Sequence, residues 1–268
     1  GCEIVGASGP LVEAEVVAFA ISLMRAADVS DWTMRIGHVG ILNDLLAGLG
    51  IPEESRRDVM RLLDKGDFAG LEGKGVSSDA ATKLEAFASL SGGTDVIPAA
   101  RTMLEEMGVA TDSLDSLGEM MCCLEGLVPN MPETNIDLTV ARGLDYYTGM
   151  VFEFEVAELG GEGQVLGGGS YRLMHLFDLD ELDPCCGFGL GFDRILIALE
   201  KQAERLGRDE VVPGESSGPG SLAVIPFKID SNNVLGLVAG LRASGERVLL
   251  ELRARNLGRS MGWADSAG

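Results

Sequence analysis

The sequence predicts an α+β fold: an antiparallel sheet with helices, a mainly helical insertion, and a partial C-terminal α/β unit. Three observations predict it. Apolar residues recur at helical spacing through most of the first 128 residues. Strand-like runs rich in Val, Ile, Tyr and Phe then follow one another between Asn135 and Leu190, connected like antiparallel neighbours. A strand–helix–strand–helix pattern closes the chain after a Pro/Gly/Ser-rich stretch.

The elements follow in order. "VEAEVVAFAISLMRAAD" reads as an amphipathic helix. "WTMRIGH" is a strand, and "VGILNDLLAGLG" is a helix with Gly50 at its end. Pro52 suits the first position of the next helix, "ESRRDVMRLLDKG". "DAATKLEAFASLSGG", "DVIPAARTMLEEMG" and "SLDSLGEMMCCLEGL" are each amphipathic and end near glycine. "NIDLTVARGLDYYTGMVFEFEVAE" reads as two strands joined by a turn around Asp145 to Gly149. "GQVLGGGSYRLMHLF" is a strand, and "CCGFGLGFDRILIALEKQAERLG" is a strand running into a long helix. The division expected is a core segment 1–50, helical insertion 51–128, core again 129–206, linker 207–220, and a C-terminal unit 221–268.

Composition narrows the class. At 268 residues the chain is long enough for a large buried core, and no apolar run is long enough for a transmembrane helix. The formal charge of -21 argues against a generally basic nucleic-acid binder. It is unevenly spread: Gly220 to Gly268 carries six basic and four acidic residues, a local +2. Five cysteines without a Cys-x-x-Cys, and only two histidines, favour a reducing, cytoplasmic setting without a zinc site.

Three constellations carry candidate chemistry. Arg142, Asp145, Tyr146 and Tyr147 cluster at a strand, where a guanidinium suits a carboxylate or phosphate and the phenols supply hydrogen bonds and flat walls. The same pattern also suits a hairpin with aromatic pairs and a solvated arginine. Gly167, Gly168 and Gly169 clear a strand for a flat ligand, or mark a bulge; Tyr171 follows directly. "GFGLGFDR" feeds a helix that opens on Asp193 and Arg194; its glycine spacing is wrong for a dinucleotide loop. Arg194 there can meet a phosphate or purine, or stay solvated.

Taken together, these stretches resemble the histidyl-tRNA synthetases, class II aminoacyl-tRNA synthetases. "RGLDYYTGMVFEF" is similar to the family's histidine-specific signature, "GFGLGFDRI" to the third class II motif, and "GCEIVG" to the strand after the second. "RIGHVGIL", the helical insert and the C-terminal unit fall in the family's order, and Gly169-Ser170-Tyr171-Arg172 resembles its archaeal branch.

The resemblance implies a class II antiparallel sheet and a two-step reaction. Histidine and ATP, with Mg2+, give histidyl-adenylate, and the 3' end of tRNA(His) then takes the histidyl group. Arg142 would contact the α-phosphate and the histidine carboxylate, and Arg194 the ATP phosphates. Glu3 and Tyr147 would read the imidazole, while Tyr146, Gly168, Gly169 and Tyr171 would line the pocket with Gly167. Thr148-Gly149 would make the turn. The family also implies a homodimer and makes residues 221–268 a partial anticodon-binding domain. Its first and second motifs would lie before Gly1, so a fragment that activates histidine weakly or not at all by itself is expected. A regulatory paralogue from histidine biosynthesis, without aminoacylation, is the alternative; the C-terminal unit argues against it. A kinase-linked sensor with a degenerate domain is a third reading, opposed by intact Arg142, Tyr147 and Arg194.

Overall fold

The computed structural model describes residues 1–140, 146–207, 221–253 and 256–267. Strand β1 (Cys2–Val5) leads into α1 (Pro10–Ala26), which opens with proline at its first position after Gly9 at φ 100°. Val12, Val16, Val17, Ala20, Ile21 and Met24 form its buried stripe. Strand β2 (Trp32–His38) passes directly into α2 (Val39–Gly48). His38 is the N-cap: its Nδ1 accepts from the Gly40 amide at 3.1 Å.

Helices α3 (Glu53–Asp64), α4 (Ser78–Ala88), α5 (Val96–Glu106) and α6 (Asp112–Leu127) follow, with a two-residue strand β3 (Ser91–Gly92) between α4 and α5. Pro52 is the residue before α3 and not its first turn. Helix α6 packs lengthwise on α1, and its Leu117, Met120, Met121 and Leu124 share one core with the sheet.

Strands β4 (Thr134–Asp137), β5 (Tyr147–Val156), β6 (Gln164–Tyr171) and β7 (Cys185–Leu190) complete the main sheet, in the order β1-β7-β6-β5-β2-β4-β3. Neighbours are antiparallel except β2 and β4. This corrects the expected hairpin over the "NIDLTV…MVFEFEV" stretch, because β2 lies between β4 and β5. Met34 pairs with Phe154 on one side and Thr134 on the other. Thr148 and Gly149 are strand residues, not the turn. Trp32 stacks on Phe154 at 4.7 Å, and Phe152 and Phe154 are fully buried. Arg35 on β2 binds Asp137 of β4 and Glu153 of β5, and reaches Asp64 of α3 at 3.5 Å.

Helix α7 (Phe192–Leu206) leaves β7 and ends at Gly207, φ 61°. Beyond it, β8 (Leu222–Val224), α8 (Asn232–Ala243), β9 (Val248–Leu250) and α9 (Leu257–Ala267) form the expected strand–helix–strand–helix unit, with β8 and β9 parallel. Arg242 of α8 forms a bidentate pair with Glu15 of α1, and Leu235 packs at Gly126 of α6. No described helix is long and apolar enough to cross a membrane.

Candidate active site

Four adjacent strands, β1, β7, β6 and β5, form the floor of a cavity of ≈ 500 Å³. Side chains alternate along each strand, so every second residue can face it. Glu3 enters from β1, opposite Gly187 of β7, which in turn lies opposite Gly169 of β6. The two glycines let side chains lie flat. A Cβ at Gly187 would stand 1.8 Å from Glu3 Oε2, and one at Gly169 would stand 3.0 Å from the Tyr147 ring. The Glu3 carboxylate therefore extends over β7, and the Tyr147 ring extends over β6.

The Tyr171 hydroxyl donates to Glu3 Oε2 at 2.7 Å. Burial and this bond push the Tyr171 phenol above its ordinary range, so it stays protonated and serves as a donor. The Tyr146 ring lies 4.7 Å from that of Tyr147 and 5.7 Å, edge-on, from that of Tyr171. The chain has three tyrosines, and all three line this cavity.

Arg194 lies further along β7, in the first turn of α7. Three strand residues, Phe188 to Leu190, follow Gly187 before the helix cap at Gly191, about 10 Å at the usual rise. Its Nη1 donates to the Gln164 carbonyl at 2.6 Å, and its stem packs over Gly191. The cavity thus has a carboxylate–phenol end and a guanidinium end, suited to a ring N–H and an anion respectively.

Of the residues singled out in the sequence, Glu3, Tyr146, Tyr147, Gly167, Tyr171 and Arg194 line the cavity. Gly169 lies beneath the Tyr147 ring. Gly168 falls on the opposite face by strand alternation, where a Cβ would meet Phe188. Arg142 and Asp145 lie outside the described residues. The lining residues not foreseen are Gln164, Val165, Leu166 and Phe188 on β6 and β7, and Leu173, Met174 and Phe177 in the connection between those strands. Asp183 shapes that connection by accepting from the Leu173 and Met174 amides, each at 3.1 Å. An apolar side chain in an irregular connection has no periodic signal to reveal it.

The sequence profile described as Histidyl-tRNA synthetase matches residues 1–195. The chain belongs to the histidyl-tRNA synthetase family. It is 33% identical, over its whole length, to a histidine–tRNA ligase of Archaeoglobus fulgidus, and 35% identical to one of Methanocorpusculum labreanum. It spans about 60% of the length of each of these relatives. Among solved structures, a Nostoc histidyl-tRNA synthetase superimposes with a TM-score of 0.67 at 23% identity, over 99% of this chain and 63% of that one. A Bacillus halodurans protein, described as an ATP phosphoribosyltransferase regulatory subunit/histidyl-tRNA synthetase, gives 0.64 at 24%, over 98% and 65%. Both likenesses support the fold: a mainly antiparallel sheet with flanking helices.

Proposed function

We propose that this chain carries the amino-acid activation site of a histidine–tRNA ligase. Histidine's carboxylate attacks the α-phosphate of ATP, giving histidyl-adenylate and pyrophosphate; the 3' end of tRNA(His) then takes the histidyl group. One observation carries the reading: in a member of this family, Glu3 lies flat over Gly187 with the Tyr171 hydroxyl on one of its oxygens. The bond orients the carboxylate, whose acceptor capacity suits an imidazole N–H. Tyr147 offers a phenol for the other ring nitrogen, Tyr146 walls the pocket, and Gly167 and Gly169 keep the floor low. Gly168 contributes by letting the strands approach from the other face. Arg194 offsets phosphate charge, and Arg142, by the family signature, serves the reacting phosphate and carboxylate. Positioning and fixed charge carry such a reaction, since the protein need not form a bond itself. Mg2+ would arrive on the ATP phosphates as part of that substrate.

The same reading assigns 1–50 and 129–206 to the catalytic core, 51–128 to a helical insertion, and 221–268 to anticodon binding, with 207–220 as linker. It includes a homodimer working in the cytoplasm. The regulatory alternative draws on the double description of the Bacillus halodurans neighbour. The ligase reading is preferred because the curated relatives matched over the whole chain are named histidine–tRNA ligases.

Histidine-dependent ATP–pyrophosphate exchange by the full-length protein tests this. Exchange specific to histidine, lowered by orders of magnitude in Arg142→Ala, is expected. A full-length protein with no exchange, or with equal exchange for other amino acids, would refute the ligase reading.

A further inference from the structure

We propose that Glu13, on the far side of the sheet from the cavity, is a positioning residue. Through Ser170 it pins the irregularity in β5 that turns Tyr147 into the site. The consequence for histidine rests on the reading above; the structural part does not.

The irregularity is visible in the strand register. Tyr147 pairs with Tyr171, but the next registered pair is Val151 with Gly169. Thr148, Gly149 and Met150 therefore lie opposite Ser170 alone. Extra residues on one strand interrupt the ladder and re-aim the side chains beside them. Here the side chain beside them is Tyr147.

Ser170 sits opposite this bulge, and its side chain points away from the cavity because Tyr171 next to it points in. Its hydroxyl donates to Glu13 Oε1, which reaches up from α1. The bulge closes down on this pair. A Cβ at Gly149 would stand 2.9 Å from Ser170 Cβ and 3.2 Å from Glu13 Oε1. On the cavity side, the neighbours of Ser170 are Gly169, beneath the Tyr147 ring, and Tyr171, bonded to Glu3. One buried hydroxyl thus joins a helix behind the sheet to two tyrosines in front of it.

Glu13 is an expensive residue for mere filling. It is only 5% exposed, and its Oε2 has no hydrogen-bond partner. Burial raises its pKa, opposed by the bond from Ser170 and by the backbone amide of Met150 in the bulge itself, and the net shift favours the neutral form relative to a solvated carboxyl. Glutamine imitates that neutral form and keeps an acceptor; methionine keeps the volume and loses it.

The test uses the ring signals of Tyr146, Tyr147 and Tyr171 in a tyrosine-labelled NMR spectrum without ligand, followed by a histidine titration. Glu13→Gln is expected to leave the signals in place. Glu13→Met and Ser170→Ala are expected to move those of Tyr147 and Tyr171. Both should weaken histidine binding about tenfold, with ATP binding changed less than about twofold. Glu13→Met leaving the signals in place, or Glu13→Gln moving them as far as Met does, would overturn the proposal. Ser170→Ala removes one oxygen, so it decides the question even if a Glu13 variant fails to fold. Signals that move as expected in a protein that does not bind histidine would count against the histidine reading and leave the positioning role intact.

Discussion

The Tyr171 hydroxyl and the Glu3 carboxylate meet at 2.7 Å across two strands, β6 and β1, that are separated in the sheet by β7. The bond ties the orientation of Glu3 to a strand 168 residues later in the chain. Removing the Tyr171 hydroxyl frees the carboxylate to rotate. Tyr171→Phe is expected to weaken histidine binding about tenfold, and Glu3→Gln up to about a hundredfold, by the strength of hydrogen bonds to charged groups. Calorimetric titration with histidine and with ATP checks this. The ATP constant should hardly change, because Arg194 stands at the other end of the cavity. An equal loss of both would point to a general collapse of the sheet.

Gly187 leaves the space that Glu3 fills. A methyl group there would meet Glu3 Oε2 at 1.8 Å and the Cys2 carbonyl at 2.5 Å. Gly187→Ala should displace Glu3 and remove histidine binding while keeping the helical content of the chain. Circular dichroism beside a histidine titration distinguishes the two effects. Unchanged histidine affinity in a folded Gly187→Ala variant would show that the Glu3 position is irrelevant.

His38 gives the protein an acid-sensitive point away from the cavity. It is 8% exposed, and its Nδ1 is occupied as an acceptor for the Gly40 amide. Burial lowers its pKa to about 4, with Asp44 opposing. The folded value lies below the unfolded one, so the unfolded chain takes up the proton first as pH falls. The stabilisation is complete above about pH 6.5 and is lost as pH falls toward 4, by up to about 3 kcal/mol. His38→Asn keeps a capping side chain and should flatten this part of the stability–pH curve. Urea unfolding at a series of pH values measures it, and an unchanged slope between pH 6.5 and 4 would contradict the assignment.

Arg35 joins β2 to β4 and β5 through Asp137 and Glu153, and approaches Asp64 of α3. Burial works against its charge, but the two carboxylates raise its pKa above the ordinary value. Arg35→Met would leave that carboxylate group without its shared cation. A loss of about 2–4 kcal/mol in urea unfolding is expected, and Arg35→Lys should recover only part of it because a fork reaches two carboxylates at once. A neutral Arg35→Met substitution would show that the network contributes nothing net.

Much of this architecture was legible where a pattern is local. The stripe of α1, the strands β2 and β6, and the helix start at Arg194 each depend on neighbouring residues. The place of β2 between β4 and β5 was not legible, because that pairing joins segments about a hundred residues apart. The hairpin expected around Asp145 failed for that reason. Glu3 stands in a four-residue strand with no local signal of a site; only the resemblance of "GCEIVG" singled it out. Met174 and Phe177 belong to an irregular connection without periodicity. Glu13 looked like any acidic residue on an amphipathic helix until the fold turned it inward.

The central claim is that this sheet face recognises histidine, and the three tyrosines report on it directly. A histidine titration of the tyrosine-labelled protein should move the Tyr147 and Tyr171 signals saturably, and glutamine, asparagine or phenylalanine at the same concentrations should not. Tyrosine signals that stay in place under histidine, or that move equally with the other amino acids, would contradict the account.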